Sequence, residues 1–271
     1  MVQPIGVIDS GVGGMTVAKE LMRQLPKESI VYIGDTKRCP YGPRSEKEVR
    51  TFTWEMVEHL KQHDIKMLVV ACNTATAFAL KELKEKLDIP VLGVIEPGAR
   101  AAITFSENKR IGVIGTEGTV HSGAYPEALK GIDSSIRVNS QSCPPFVPLV
   151  ERNVLKGPEA ERVVRETLKP LKDQNGIDTL ILGCTHYPLI RNVIQREMGD
   201  HINVISSGEE TAREASLILS YHHLQEQGSQ PPVHKFYTTG DFDKFKKIAD
   251  EWFEAPLDIF EVIELDPVEI F

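Results

Sequence analysis

"IDTLILGCTHYPL" (177–189) is an apolar run closed by glycine, after which cysteine, threonine and histidine stand in a row. Its core, "TLILG", has the length and character of a buried strand. The stretch has an echo upstream. "IKMLVVACNTA" (65–75) has the same shape, with Cys72 where the later stretch has Cys184. A second pair recurs in the same order, "IGVIDSGVGG" from residue 5 and "IGVIGTEGTV" from residue 111. Two features repeating in one order at nearly equal separations point to two similar halves. Strands resemble one another by composition alone, but composition does not require two cysteines to align.

Working outward, short β-branched runs recur along the chain. "IGVID" (5–9), "IVYIGD" (30–35), "MLVVACN" (67–73) and "VLGVI" (91–95) form one set. "RIGVIGT" (110–116), "IRVNS" (136–140), "TLILGCT" (179–185) and "NVISS" (203–207) form a second. Helical patterns separate several of them. In "TATAFALKELKEKL", Leu80, Leu83 and Leu87 fall on one helix face. Continuous apolar strands alternating with helices predict an α/β fold: two similar domains, each a mostly parallel sheet flanked by helices. The expected division is 1–97 plus 208–271 for a discontinuous first domain and 98–207 for the second. The crossings fall near "EPGARAA" (96–102) and "SSGEET" (206–211). A helix over 211–224, a strand at "KFYTTGD" (235–241) and an acidic tail then pack back onto the first half.

Composition sets limits. Hydrophobic residues make up 41% and charged residues 26%, so the chain is globular rather than disordered. A net charge of −8 repels polyphosphate and argues against a general nucleic-acid binder. The N-terminus lacks signal-peptide character. The longest apolar stretch, "MLVVACNTATAFAL", is too short and too polar to span a bilayer. A soluble, cytoplasmic protein without a membrane partner is the expectation. Its four cysteines, Cys39, Cys72, Cys143 and Cys184, show no CxxC pair and read as free thiols.

In open α/β sheets ligands bind beyond the carboxyl ends of the strands, and the motifs gather there. "DSGVGG" (9–14) follows the first strand and opens a helix. Its glycines allow close backbone approach, although a bare strand-to-helix turn accounts for them equally well. Cys72 ends one strand just before a helix, whose positive end would favour a thiolate. Cys184 repeats that placement, with Pro188 suited to a first helical turn. Either cysteine alone reads as a buried structural residue. As a matched pair facing one cleft, they can do acid–base chemistry. A thiol titrates at about 8.5, and a helix start can lower that towards neutrality. One thiolate removes a proton from carbon, and the opposite thiol delivers one. That inverts a stereocentre without a cofactor. Zinc would need a second close Cys/His pair, which is missing, so no metal is expected. A Cys–His nucleophile would leave Cys72 unexplained.

"DSGVGGMTV", "CPYGPRS", "ACNTATA", "FVPLVE" and "GCTHYPLI" together resemble the motif series of the cofactor-independent aspartate/glutamate racemase family. The likeness runs from residue 5 to about residue 210 in the family's order. It implies two α/β domains facing a central cleft, with no PLP and no metal. It also implies interconversion of L- and D-glutamate, a small-molecule substrate, for peptidoglycan. Cys72 and Cys184 match the two acid/base thiols, Cys72 on the side of the D enantiomer and Cys184 on that of the L. Asp9, His186 and Glu151 match residues that assist them. Ser10, Tyr41, Gly42, Asn73, Thr74 and Thr185 match substrate-binding positions, with Asp9 and His186 also beside the substrate. Thr76, where serine is common, and Ile190, where leucine is, are small departures. Cys39 and Cys143 have no echo and read as structural.

From the residues alone, Asp9 can pair with an ammonium, steer Cys72 or cap a helix. His186 can relay protons for Cys184 or close a turn. Apart from Arg44, the motifs carry little positive charge. Substrate carboxylates would then be held by backbone N–H groups, hydroxyls and amides. A relative acting on aspartate, a decarboxylase with one protonating cysteine, and a non-catalytic anion-binding module are the alternatives. A homodimer is the base-rate expectation.

Overall fold

The computed structural model describes residues 3–173, 176–253 and 259–268. Parts of the acidic tail, 254–258 and 269–271, lie outside the described residues. The first half runs β1 (Ile5–Asp9), α1 (Met15–Gln24), β2 (Ile30–Gly34), α2 (Glu46–Lys61), β3 (Met67–Val70), α3 (Asn73–Lys86), β4 (Val91–Gly93) and α4 (Ile95–Phe105). The second runs β5 (Arg110–Gly115), α5 (Glu117–His121), α6 (Ala124–Ile132), β6 (Arg137–Ser142), α7 (Phe146–Glu151), α8 (Pro158–Asp173), β7 (Thr179–Gly183), a 3-10 turn (Tyr187–Ile190), α9 (Arg191–Met198) and β8 (Asn203–Ser206). The chain then returns through α10 (Ser207–Tyr221), β9 (His234–Thr238), α11 (Phe242–Trp252) and β10 (Ile259–Val262).

Two parallel sheets result. The first has the order β10-β9-β2-β1-β3-β4, the second β6-β5-β7-β8. The second order repeats the β2-β1-β3-β4 part of the first strand for strand. The repeat read in the sequence is thus a repeat of topology, with β1 matching β5 and β3 matching β7. Each central strand is buried on both faces, which is why it reads as an unbroken apolar run. In β1, Ile5 and Val7 enter one core and Ile8 the other. In β7, Leu180 and Leu182 point one way and Ile181 the other. The edge strand β6 is partly exposed and lies slightly C-terminal to its expected place.

Local signals set the helices. Ser45 and Glu48 form a reciprocal capping box at the start of α2. Leu83 of α3 is fully buried, with Leu80 and Leu87 packed beside it in the same core. Both crossings between the sheets run through helices rather than loops. α4 packs from Ile95 onward against the second sheet, and α10 packs Ala212, Ala215 and Leu219 against the first. Our proposed division, 1–97 with 208–271 against 98–207, cuts just inside both. The returning segment docks on the first sheet, β9 on β2 and β10 on β9. Among the described residues no helix is long and apolar enough to cross a membrane.

At the end of the sheet away from the strand C-termini, Lys66 and Glu28 form a buried ion pair at 2.5 Å, each side chain about 5% exposed or less. Lys66 also donates to the Leu224 carbonyl at 2.7 Å, and Glu28 accepts from the Glu226 amide at 2.8 Å. Together they pin the segment after α10 to the first sheet. Lys66→Met leaves a buried carboxylate without its counter-charge. We expect a loss of about 3 kcal/mol and a fall in melting temperature of roughly 10 °C, read by calorimetry.

Candidate active site

The site is built where the two sheets present their strand ends to each other. Cys72 follows β3 and is itself the N-cap of α3: its sulfur accepts the Ala75 amide at 3.4 Å. Its thiol points to Ser10 Oγ at 3.6 Å. Cys184 follows β7 in the equivalent place, but the chain then makes a turn and a short 3-10 segment before α9. The expectation of a helix start behind each thiol is therefore corrected for Cys184. Its polar partner is His186, with Sγ 3.8 Å from Nδ1. The expected lowering of the Cys72 pKa is also reversed. Burial, reinforced by the charge of Asp9, pushes the thiol up to about 12 despite hydrogen bonds from Ala75 and to Ser10.

Both cysteines line one small cavity of about 10 Å3, room for little more than one water. Ser10, Tyr41, Gly42, Asn73, Thr74, Thr185 and His186 line it too, and Pro40, Thr116 and Val147 complete the wall. Asp9 and Glu151 stand one layer behind. The Tyr41 hydroxyl donates to Asp35 at 2.5 Å, so it has no hydrogen left to give a ligand. Arg44 bonds to the Arg38 carbonyl and Glu48 and takes no part in the lining. Asn73 Oδ1 accepts from Tyr125 at 2.8 Å. Its Nδ2 is buried and has no hydrogen-bond partner among the described residues, an orphaned donor at the wall of the cavity.

The two halves meet through short polar contacts. Thr185 Oγ1 donates to Asp9 Oδ2 at 3.2 Å, and Thr16 Oγ1 donates to the Thr185 carbonyl at 3.2 Å. Thr74 Oγ1 lies 2.8 Å from Thr116 Oγ1, and the Gly118 amide donates to the Gly42 carbonyl at 2.9 Å. The glycines of "DSGVGG" explain the closeness. A Cβ on Gly13 would lie 2.5 Å from both His186 Nδ1 and Thr185 Oγ1. The glycine-rich loop thus admits the facing turn of its own chain. Asp9 is fully buried and accepts the Gly11 amide rather than capping α1, whose N-cap Gly14 has no side-chain bond. Burial raises its pKa, opposed by the charge of His186 and by hydrogen bonds from Gly14, Gly11 and Thr185.

Behind Cys184 runs a chain of charges. His186 Nε2 is 3.0 Å from Glu151 Oε1, and Lys244 Nζ is 2.7 Å from Glu151 Oε2. Burial alone would lower His186. Hydrogen bonds and charge from Cys184 and Glu151 outweigh it and push the imidazole up to about 10. Burial would raise Glu151, but His186 and Lys244 hold it down at about 2. Sequence reasoning missed Lys244, Thr116 and Tyr125; Thr116 closes the strand of the repeat "IGVIGTEGTV", and the other two stand in no motif. It also set Cys39 aside as structural, yet its sulfur, Glu151 and His186 present ligand atoms within 4.8 Å of one another. Those are metal-type ligands. Glu151 already carries two cationic partners, however, and Lys244 would repel a metal ion. Cys143, by contrast, is wholly buried in a core.

Residues 5–215 match the family described as Asp/Glu/Hydantoin racemase. The chain belongs to that family. It is 62% identical to the glutamate racemase of Oceanobacillus iheyensis, over 94% of this chain and 93% of the relative. Among solved structures it is similar to glutamate racemase isoform RacE1 from Bacillus anthracis, with a TM-score of 0.94 at 50% identity, covering 97% of this chain and 98% of that one. The glutamate racemase of Francisella tularensis in complex with D-glutamate matches with a TM-score of 0.91 at 33% identity, over 98% of each chain. The chain is thus an isomerase of the racemase class.

Two outcomes follow for the racemase. Gly13→Ala forces the His186 turn to move, and activity should fall on the order of 100-fold in a racemisation assay. The second concerns pH. Glu151 sits below its unfolded value of about 4.3, so its contribution to stability is complete above that value and is lost as pH falls towards about 2. His186 sits above its unfolded value of about 6.5, so its contribution is complete below that value and is lost as pH rises through about 10. The gap in melting temperature between wild type and Glu151→Gln should therefore be widest between about pH 4.5 and 6.5. A gap independent of pH would contradict the pair.

Proposed function

We propose that this racemase interconverts L- and D-glutamate by a cofactor-independent, two-thiol mechanism. It would supply D-glutamate for peptidoglycan from the cytoplasm. The observation that carries the reading is that Cys72 and Cys184, at equivalent strand ends of two facing sheets, line one cavity. Relatives described as glutamate racemases at 62% and 58% identity support the substrate, as does the D-glutamate bound by the Francisella enzyme. The expected homodimer rests on symmetry statistics alone.

In this reading the Cys184 thiolate takes the Cα proton of L-glutamate and becomes a thiol. The electron pair left on carbon spreads into the α-carboxylate. The Cys72 thiol returns a proton to the opposite face, leaving D-glutamate and a Cys72 thiolate. For the D enantiomer the roles exchange. Burial keeps Cys72 protonated near neutral pH, the state in which it can donate. His186 is placed to share a proton with Cys184. The free Nδ2 of Asn73, the hydroxyls of Ser10 and Thr74, and backbone amides at the strand ends, that of Thr185 among them, would hold the carboxylates. The cavity holds little more than one water, so in this reading it widens to take an amino acid.

The test is proton exchange. In D2O the enzyme should place deuterium at Cα of glutamate and leave aspartate and other amino acids largely unlabelled. Cys72→Ser and Cys184→Ser should each lower kcat/KM for racemisation by about 1000-fold or more. Either variant keeping most of its activity would refute the two-thiol mechanism.

A further inference from the structure

The two thiols occupy equivalent places but have different support. Cys72 has a hydroxyl and a helix amide beside it. Cys184 has an imidazole, then a carboxylate, then an ammonium. The last member of that chain comes from outside the motifs. Lys244 stands in the first turn of α11, whose N-cap Asp241 accepts the Lys244 amide at 3.0 Å. Glu151 ends α7, in the half built on the second sheet. A further bond, Asn153 Nδ2 to Glu251 at 2.9 Å, ties the far end of α11 to the same region. The C-terminal helix therefore lies across the two halves and reaches the catalytic chain from the side.

We propose that Lys244 is a positioning residue for the Cys184 side of the site, holding the Glu151 carboxylate so that its other oxygen fixes the His186 ring against Cys184. The proposal rests on the two-thiol reading and extends it. Lys244 does not line the cavity, so a direct role on substrate is not what its place supports. Its side chain is 54% exposed while that of Glu151 is 21% exposed. Removing the ammonium thus costs little as a surface ion pair. It does free one oxygen of a carboxylate whose orientation sets the imidazole.

The charge consequence has a definite sign. Glu151 is faced by His186 from the turn after β7, by Lys244 from α11 and by the Cys39 thiol from the loop after β2. The buried Tyr32 of β2 also feels its charge, and Asp241 acts on Lys244 in turn. Burial keeps Cys39 and Tyr32 uncharged. The two cations are what favour the Glu151 carboxylate. With Lys244 gone, Glu151 takes up a proton at higher pH as the solution is acidified, and the His186 link fails earlier.

The experiment compares Lys244→Met and Lys244→Arg with wild type in both directions of racemisation across pH. Cys72→Ser and Cys184→Ser are run alongside. For Lys244→Met we expect kcat to fall about five- to tenfold, with KM changed less than about twofold. The acid limb of kcat/KM should move up by about half a pH unit, less at high salt. Lys244→Arg should recover both the rate and the limb. A Lys244→Met enzyme with the wild-type rate and limb, beside inactive cysteine variants, overturns the proposal alone. So does a loss of rate that arginine does not restore while the limb stays in place, since that describes packing rather than positioning. Activity in Cys184→Ser instead removes the two-thiol reading and this proposal with it.

Discussion

The contact between the loop after β1 and the turn after β7 sets the rest of the site. These segments belong to different sheets. What lets them touch is the bare Cα of Gly13, where any Cβ would strike His186 and Thr185. Asp9 then reaches Thr185, and Thr16 reaches the Thr185 carbonyl. Closure at this level leaves a small lined space between the strand ends instead of a packed core. Both thiols end at that space because each terminates the same strand of a repeated topology.

Duplication accounts for the position of the sulfurs but not for their surroundings. Around Cys72 the hydrogen-bond partners are neutral, and burial with the charge of Asp9 holds the sulfur protonated. Around Cys184 the support is ionic, an imidazolium steadied by a carboxylate that is itself steadied by an ammonium. The buried charges are paired along the chain, which is the condition under which such groups can be kept from water. A chiral substrate lying between these walls would meet two thiols in unlike settings. Proton transfer at its two faces then need not be controlled by the same residues, although the equilibrium between enantiomers is symmetric by chemistry.

The fold and the two cysteines were legible in the sequence because both depend on local pattern. Doubly buried strands have to be apolar throughout, and the residue that follows such a strand is the one exposed to a cleft. That logic led to Cys72 and Cys184 and to His186 beside the second of them, while Ser10, Asn73, Thr74 and Thr185 were named through the family resemblance. It did not reach Lys244 or Tyr125. Each acts through one side-chain atom delivered by tertiary packing, and neither sits at a strand end. The family resemblance supplied Glu151, whose place in "FVPLVE" carries no local sign of its role. Two physical expectations went astray for related reasons. A helix start was credited with lowering both thiols. Yet the chain after Cys184 makes a turn first, and at Cys72 the desolvation of a buried thiol outweighs one amide.

Closure has a further consequence for the chemistry. A hydrogen on carbon next to an amino group is a very weak acid, and a thiolate surrounded by water is a poor match for it. Excluding water strengthens every charge interaction around the reacting carbon. As it stands, the cavity between the strand ends holds little more than one water. Several of the contacts between the halves are weak. Thr74 with Thr116, Asn73 with Tyr125 and Gly42 with Gly118 are bonds between neutral groups. Each is worth only about 1 kcal/mol net against water. Lys244 with Glu151 is a partly exposed pair of similarly modest worth. With the bond of Thr185 to Asp9, these contacts ring the cavity between the strand ends.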